Sequence, residues 1–105
     1  KETVLRGNIL KSSIIGPSLT PAAVSGAQAT QTFSIPGLNV NDFVNVTFNG
    51  AQTTGISVVN TWVSTAGVLS VQFVNASGSA ATPAAGTYIL ACDRLEGTTL
   101  PTNAA

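Results

Sequence analysis

The sequence has no histidine and no methionine, a single cysteine, and only four basic and four acidic residues among 105. Each scarcity removes a class of function. Without histidine the usual general base is gone, and with it the Ser-His and Cys-His nucleophile pairs and the commonest metal ligand. One cysteine allows neither an internal disulfide nor a thiolate metal site. Cys92 ends the apolar run Tyr88-Ile89-Leu90-Ala91-Cys92 and reads as a buried, inert thiol. The lack of methionine means that the initiator has been removed or that the sequence begins inside a longer product.

Four basic residues and a net charge of zero give little grip on phosphate, so no nucleic-acid partner is expected. No apolar run approaches the ~20 residues needed to span a bilayer. Residues 1–15 are interrupted by Arg6, Asn8 and Lys11, so neither a membrane anchor nor a signal peptide is expected. No GxGxxG and no Gly-Lys-Ser/Thr phosphate loop occurs.

The acids offer little chemistry. Asp93 and Glu96 flank Arg94 and read as a solvated ion pair at a strand end rather than a glycosidase pair. Asp42 follows Asn39-Val40-Asn41, where a short acid caps a turn through backbone N–H groups; one carboxylate makes a poor calcium site. No catalytic residue, cofactor or metal is therefore expected, and the chain is not read as an enzyme. The sequons at Asn45 and Asn75 are read as ordinary strand residues in a chain rich in Asn, Ser and Thr. Trp62 and Tyr88 would make a sugar-stacking platform if they met, but packing in a core or subunit interface explains them better.

What the chain has in plenty is β-forming material. Hydrophobic residues make up 44% against 8% charged, where soluble domains carry roughly 25% charge. Ser, Thr, Asn, Gln and Gly fill the stretches between apolar runs. Residues 28–35 alternate, with Thr30, Thr32 and Ser34 on one side and Gln31, Phe33 and Ile35 on the other, before Pro36-Gly37 turns the chain. Residues 43–48 alternate likewise, with Val44, Val46 and Phe48 inward and Asn45 and Thr47 outward, ending at Asn49-Gly50. Residues 56–64 and 68–75 form a hairpin through Thr65-Ala66-Gly67, with Leu69, Val71 and Phe73 facing the core. On its first arm Ile56, Val58, Asn60 and Trp62 share one face and Ser57, Val59, Thr61 and Val63 the other, neither cleanly polar. A last strand follows Gly86, and another is possible at residues 22–26.

This pattern predicts an all-β chain: a single β-sandwich or jelly-roll-like barrel of about six short antiparallel strands, with an extended N-terminal arm. The charges divide it. Seven of the eight lie at the two ends, and Asp42 alone lies between Lys11 and Asp93. The expected organisation is an arm over residues 1–21, a β domain over 22–95 and a tail over 96–105.

Soluble β domains guard their strand edges with lysines, prolines or inward charges, and this body is poor in the charged ones. Uncharged strands such as residues 56–63 are aggregation hazards unless a partner covers them, and closed symmetry is the usual cover, so a homotrimer is expected. In the arm, Ile9, Leu10, Ile14 and Ile15 are too few for a core and too apolar for a free tail. The candidate partner-interface residues are therefore Arg6, Ile9, Leu10, Lys11, Ile14, Ile15, Trp62 and Arg94. A chain lacking residues 1–19 is expected to keep its β body folded while losing grip on its partner.

Residues 26–94 resemble small virion proteins of tailed bacteriophages. The resemblance rests on Ala29-Thr30-Gln31-Thr32-Phe33-Ser34-Ile35-Pro36-Gly37-Leu38, then Asp42-Phe43-Val44, then Val63-Ser64 with its hairpin, then Pro83-Ala84-Ala85-Gly86-Thr87-Tyr88 and Arg94. It implies a compact β domain, often trimeric, on the capsid exterior: a cement or decoration protein that clamps neighbouring major capsid proteins. Related modules occur in head and tail fibres, which makes a module binding host-surface glycans the alternative. No catalytic residue comes with the resemblance, and residues 1–21 lie outside it.

Overall fold

A computed structural model describes residues 8–97 and 99–103. They form seven strands: β1 (Ile9–Ile15), β2 (Ser18–Leu19), β3 (Gln28–Ser34), β4 (Phe43–Phe48), β5 (Ile56–Thr65), β6 (Val68–Asn75) and β7 (Gly86–Leu95). The chain is all-β, as its alternation requires, and the strands make two antiparallel sheets. In one, β7 lies between β4 and the successive strands β1 and β2; in the other, β6 lies between β3 and β5. β1 and β2 hold one register along β7, with Ile15 opposite Leu90 and Ser18 opposite Thr87, so they are one extended strand interrupted at Gly16-Pro17. The break costs no pairing, because Pro17 lacks an N–H to offer but its carbonyl accepts from the Tyr88 N–H at 2.9 Å.

The inner faces follow the period of two. Val44 and Val46 on β4, Tyr88, Leu90 and Cys92 on β7, and Leu69, Val71 and Phe73 on β6 are all buried in one cluster. Thr30, Thr32 and Ser34 face water while Gln31 and Phe33 are half-buried, as the β3 alternation predicts. Gly67 takes a left-handed φ of 77° in the β5–β6 turn, a conformation that costs a residue with a Cβ. Residues 22–26 form no regular strand; Val24 makes an isolated bridge to Ala81.

On β5 the constant alternation fails. The register against β6 shifts between Val58 and Asn60. This is a β-bulge, an extra residue that reverses which side of the sheet later residues face. Ile56 and Val63, seven positions apart and so on opposite faces of a regular strand, both enter the core, while Val59 at the bulge is 53% exposed. Neither face of β5 looked polar in the sequence because the inward set changes phase halfway along it.

Two polar groups knit the loops to this core. Tyr88 packs its ring on Phe48 with centroids 4.7 Å apart, while its hydroxyl donates to the Ala84 carbonyl and accepts from Gln52. Asn75 is buried; its amide donates to the carbonyls of Val24 and Ser79 and its Oδ1 accepts from the Ser77 N–H and hydroxyl. Among the described residues no buried side-chain nitrogen or oxygen lacks a partner, which is what a core costly to enter for polar groups demands. The sequon asparagine Asn75 is therefore sealed inside, whereas Asn45 is exposed on β4.

The strand edges are managed without many charges. β4 and β5 meet at a corner between the sheets, where the Thr61 hydroxyl donates to the Val44 carbonyl at 2.5 Å. On the open side Gln31 makes two 2.7 Å bonds to the backbone of Ala22, tying the chain that leaves β2 across to β3. β1 carries a register shift between Ile9 and Lys11 and is closed by Pro17, both devices that discourage a further strand from adding.

Candidate functional site

The charged residues among those described, Lys11, Asp42, Asp93, Arg94 and Glu96, lie near one end of the sandwich. Arg94 lies on β7 in phase with Tyr88, Leu90 and Cys92, so its side chain leaves the inner face where the two sheets open. It meets Asp42, which stands 52 positions away in sequence, just before β4. The guanidinium Nε donates to Oδ1 at 3.0 Å and an Nη to Oδ2 at 2.9 Å, and that Nη also donates to the Gly37 carbonyl at 2.7 Å. Asp42 Oδ2 accepts the Asn39 N–H at 2.9 Å, the turn cap that the local sequence predicts. The pairing corrects the reading of a strand-end ion pair among Asp93, Arg94 and Glu96: Arg94 reaches across to Asp42, and Asp93 accepts a hydrogen bond from Ser12 on the opposite face of the sheet. Sequence proximity misled because neighbours on a strand point to opposite sides.

Burial of the Asp42 carboxyl by itself raises its pKa. The hydrogen bonds from Arg94 and from the Asn39 N–H outweigh that, with the charges of Arg94 and Lys11 adding to them, and hold it below its ordinary value of 3.8. Arg94 is held above its ordinary value mainly by the bond to Asp42. Lys11 stands opposite Arg94 on β1 and lines, with Ser13, Ile15, Ile35, Leu38 and Cys92, a cavity of about 100 Å³ beside the pair.

This arrangement ties the β3–β4 loop to β7. Both carboxylate oxygens of Asp42 are committed to a guanidinium and a backbone N–H, which puts a fixed cation where a calcium ion would need ligands. No group of three His, Cys, Asp or Glu side chains able to hold a metal ion occurs among the described residues. The Cys92 thiol faces this cavity but is buried, and burial, then Asp42 and Asp93, push its pKa up, away from the reactive thiolate. A thiol-specific reagent such as a disulfide dye is accordingly expected to leave Cys92 unmodified in the native protein and to titrate one thiol per chain in denaturant. Stoichiometric labelling within minutes under native conditions would contradict the buried placement.

The predicted interface residues fall into separate places. Arg6 lies outside the described residues. Ile9, Leu10, Lys11, Ile14 and Ile15 lie along β1, with Leu10 58% and Ile14 75% exposed. Arg94 lies beside them but is engaged by Asp42. Trp62 is on the other sheet, opposite Ser70 on its outer face and half-buried. Tyr88 is inside the core, so the two large polar aromatics do not form a shared platform.

Sequence reasoning passed over Phe43, which is 64% exposed. Its signal was present: Phe43 is in phase with Asn45 and Thr47, the outward set of β4, and a phenylalanine on a polar face has no core to serve. The register places Phe43 opposite Asp93, and Ile14 and Asn45 on either side of Ala91. On the outer face of the β1–β7–β4 sheet Ile14, Phe43, Ile89 and Ala91 thus lie among Ser12, Asn45, Thr47 and Asp93. Compared with protein-family models, with curated proteins and with solved structures, the chain finds no match.

Proposed function

We propose that this chain is a structural virion protein that binds the outside of a phage capsid, as a homotrimer, and cements neighbouring major capsid proteins. The observation that carries this reading is the outer surface. A domain with so few charges leaves Leu10, Ile14, Val40, Phe43 and Val59 at least half exposed, Ile14 and Phe43 on one sheet face, and exposed apolar groups of this number favour contact with other proteins. Asp42 is saturated by Arg94 and the Asn39 N–H and the Cys92 thiol is buried, so neither is offered as a base or nucleophile in the cavity beside them, which favours adhesion over catalysis. The residues behind the phage resemblance support the fold it implies: Ile35, Leu38, Pro83 and Tyr88 are buried, and Asp42 with Arg94 clasps the β3–β4 loop to β7.

The test is to mix the purified protein with capsids assembled without it and to examine the product by co-sedimentation and electron microscopy. Saturable binding at regular capsid positions, with capsids that resist heating better than bare ones, is the expected result. Capsids that stay bare at micromolar protein would sink the proposal.

A further inference from the structure

We infer that β3 is a docking edge, and that it takes the β3 strand of a second copy of this chain, antiparallel, with a two-fold axis through Gln31. The inference stands on the backbone of one strand and goes beyond the proposed function.

The other strands at the margins of the two sheets are obstructed. β4 and β5 face each other at the corner closed by Thr61, and β1 carries its register shift and is interrupted before β2 at Pro17. β3 has no such device. Its seven residues pair with β6 in unbroken register, and none is charged or a proline. Among the described residues β6 is the one strand hydrogen-bonded beside it.

The phase of that pairing decides which backbone groups point away. At its two ends the Asn75 N–H donates to the Ala27 carbonyl at 2.8 Å and the Ile35 N–H to the Gly67 carbonyl at 2.9 Å. In an antiparallel ladder every second residue turns both of its backbone groups to the same neighbour. Ala29, Gln31 and Phe33, in step with Ala27 and Ile35, therefore serve β6. Gln28, Thr30, Thr32 and Ser34 turn their N–H and C=O groups to the open side, where no backbone group of another described residue meets them. Gln31 holds Ala22 by its side chain, on the side of the strand that Phe33 shares, and uses none of these groups.

A row of donors and acceptors at this spacing is matched by another extended backbone. The sequence of β3 selects its own copy. Placed antiparallel about Gln31, Thr30 stands opposite Thr32 of the second copy and Gln28 opposite Ser34, so every outward residue falls in a hydrogen-bonded pair. On the outer face threonine meets threonine, a favourable cross-strand pair. On the inner face the small Ala29 meets Phe33, and both are only half-buried within one copy. A slip of two residues sets an outward residue against Gly26, beyond the strand, or against Pro36, which has no N–H. The self-complementary register is the one that uses the whole edge.

Such a contact joins copies two at a time. It adds to the proposed trimer, linking trimers in pairs, and does not form it. The paired stretch is about 24 Å long, short for an interface, so pairing is expected to set in at about 0.1 mM.

Sedimentation equilibrium on the full chain from about 10 micromolar to about 1 mM tests this, with circular dichroism to confirm folding of each variant. Thr32→Pro removes an outward N–H and none of the bonds to β6, the setting in which a strand accepts proline. It is expected to weaken pairing at least about tenfold. Thr32→Lys, the second variant should the proline disturb folding, sets like charges on adjacent pairs and is expected to weaken pairing at least about threefold. Ile14→Lys and Val59→Lys, at exposed apolar residues on other strands, are expected to change nothing. An even-numbered wild-type assembly that either Thr32 variant splits in half, and neither control does, supports the inference. A wild type with no even-numbered species at the highest concentration overturns it, and if that wild type is a trimer the proposed oligomer still stands. An even-numbered assembly that survives both Thr32 variants, or yields to Ile14→Lys or Val59→Lys, overturns it as well.

Discussion

Removing residues 1–19 is expected to abolish cooperative folding, the reverse of what the sequence pattern suggests for an arm outside the body. Residues 9–19 are the outer strand of a sheet: they run along β7 from Leu95 to Gly86, and beyond them the Glu96 N–H donates to the Asn8 carbonyl at 2.8 Å. Without them β7 would show an unpaired edge. The deletion also removes Leu19, which is 6% exposed and belongs to the core cluster. Emptying a buried leucine site costs about 2–5 kcal/mol, and a domain of this size is stable by only about 5–15 kcal/mol. Loss of the leucine together with the whole strand should consume that margin. Thermal and urea unfolding should show no cooperative transition in the truncated chain. Leu19→Ala should keep a transition at a markedly lower urea midpoint. A truncated chain unfolding at the wild-type midpoint would show that β1 and β2 merely rest on a body that folds without them.

The second large effect is expected from Asp42→Ala. The substitution removes the acceptor for the Asn39 N–H and the partner of Arg94 at once, releasing the β3–β4 loop from β7. The Arg94 side chain keeps 25% of its surface in contact with solvent and can turn to water, so its loss is discounted. The greater share comes from the turn and from the buried side of the pair, and the total is expected to be about 1–3 kcal/mol in urea unfolding. The pH dependence has a definite sign. Because folding lowers the Asp42 pKa, the pair stabilises the native state in full above the unfolded value of 3.8. That contribution starts to fade as pH drops below this value and is gone once pH has fallen through the lowered native value. Wild type and Asp42→Ala should therefore differ by a constant amount near neutrality and converge in strong acid, while acids common to both chains cancel in the comparison. A difference that widens on acidification would mean that folding raises the Asp42 pKa instead of lowering it.

Several features were legible because they depend on short-range periodicity. On β3, β4 and β6 the alternation named the inward residues, since a strand next to a single core must place every second side chain in it. The turns at Pro36-Gly37 and Thr65-Ala66-Gly67 were legible too, because a tight reversal needs residues that accept unusual φ values. The Asp42 cap was readable because its acceptor and the Asn39 N–H are three residues apart.

Other features required the chain to be folded. A bulge inserts a residue without changing composition, so nothing along residues 56–63 marks Val59 as the point where β5 changes phase; the partner strand β6 decides it. The same holds for Asp42 and Arg94. Arg94 has acids at Asp93 and Glu96 close by in sequence, yet strand geometry turns Asp93 to the opposite face and brings Asp42 within 3.0 Å from 52 positions away. By itself, then, the sequence determined the class of fold and the inward residues of its regular strands, along with a composition without histidine and with few charges. Only the tertiary structure decided that residues 9–19 belong to a sheet, that the central acid serves a clasp, and that Ile14, Phe43 and Ile89 share one outer face. Periodicity is a property of one strand, whereas a sheet face is made of neighbours that long-range register alone brings side by side.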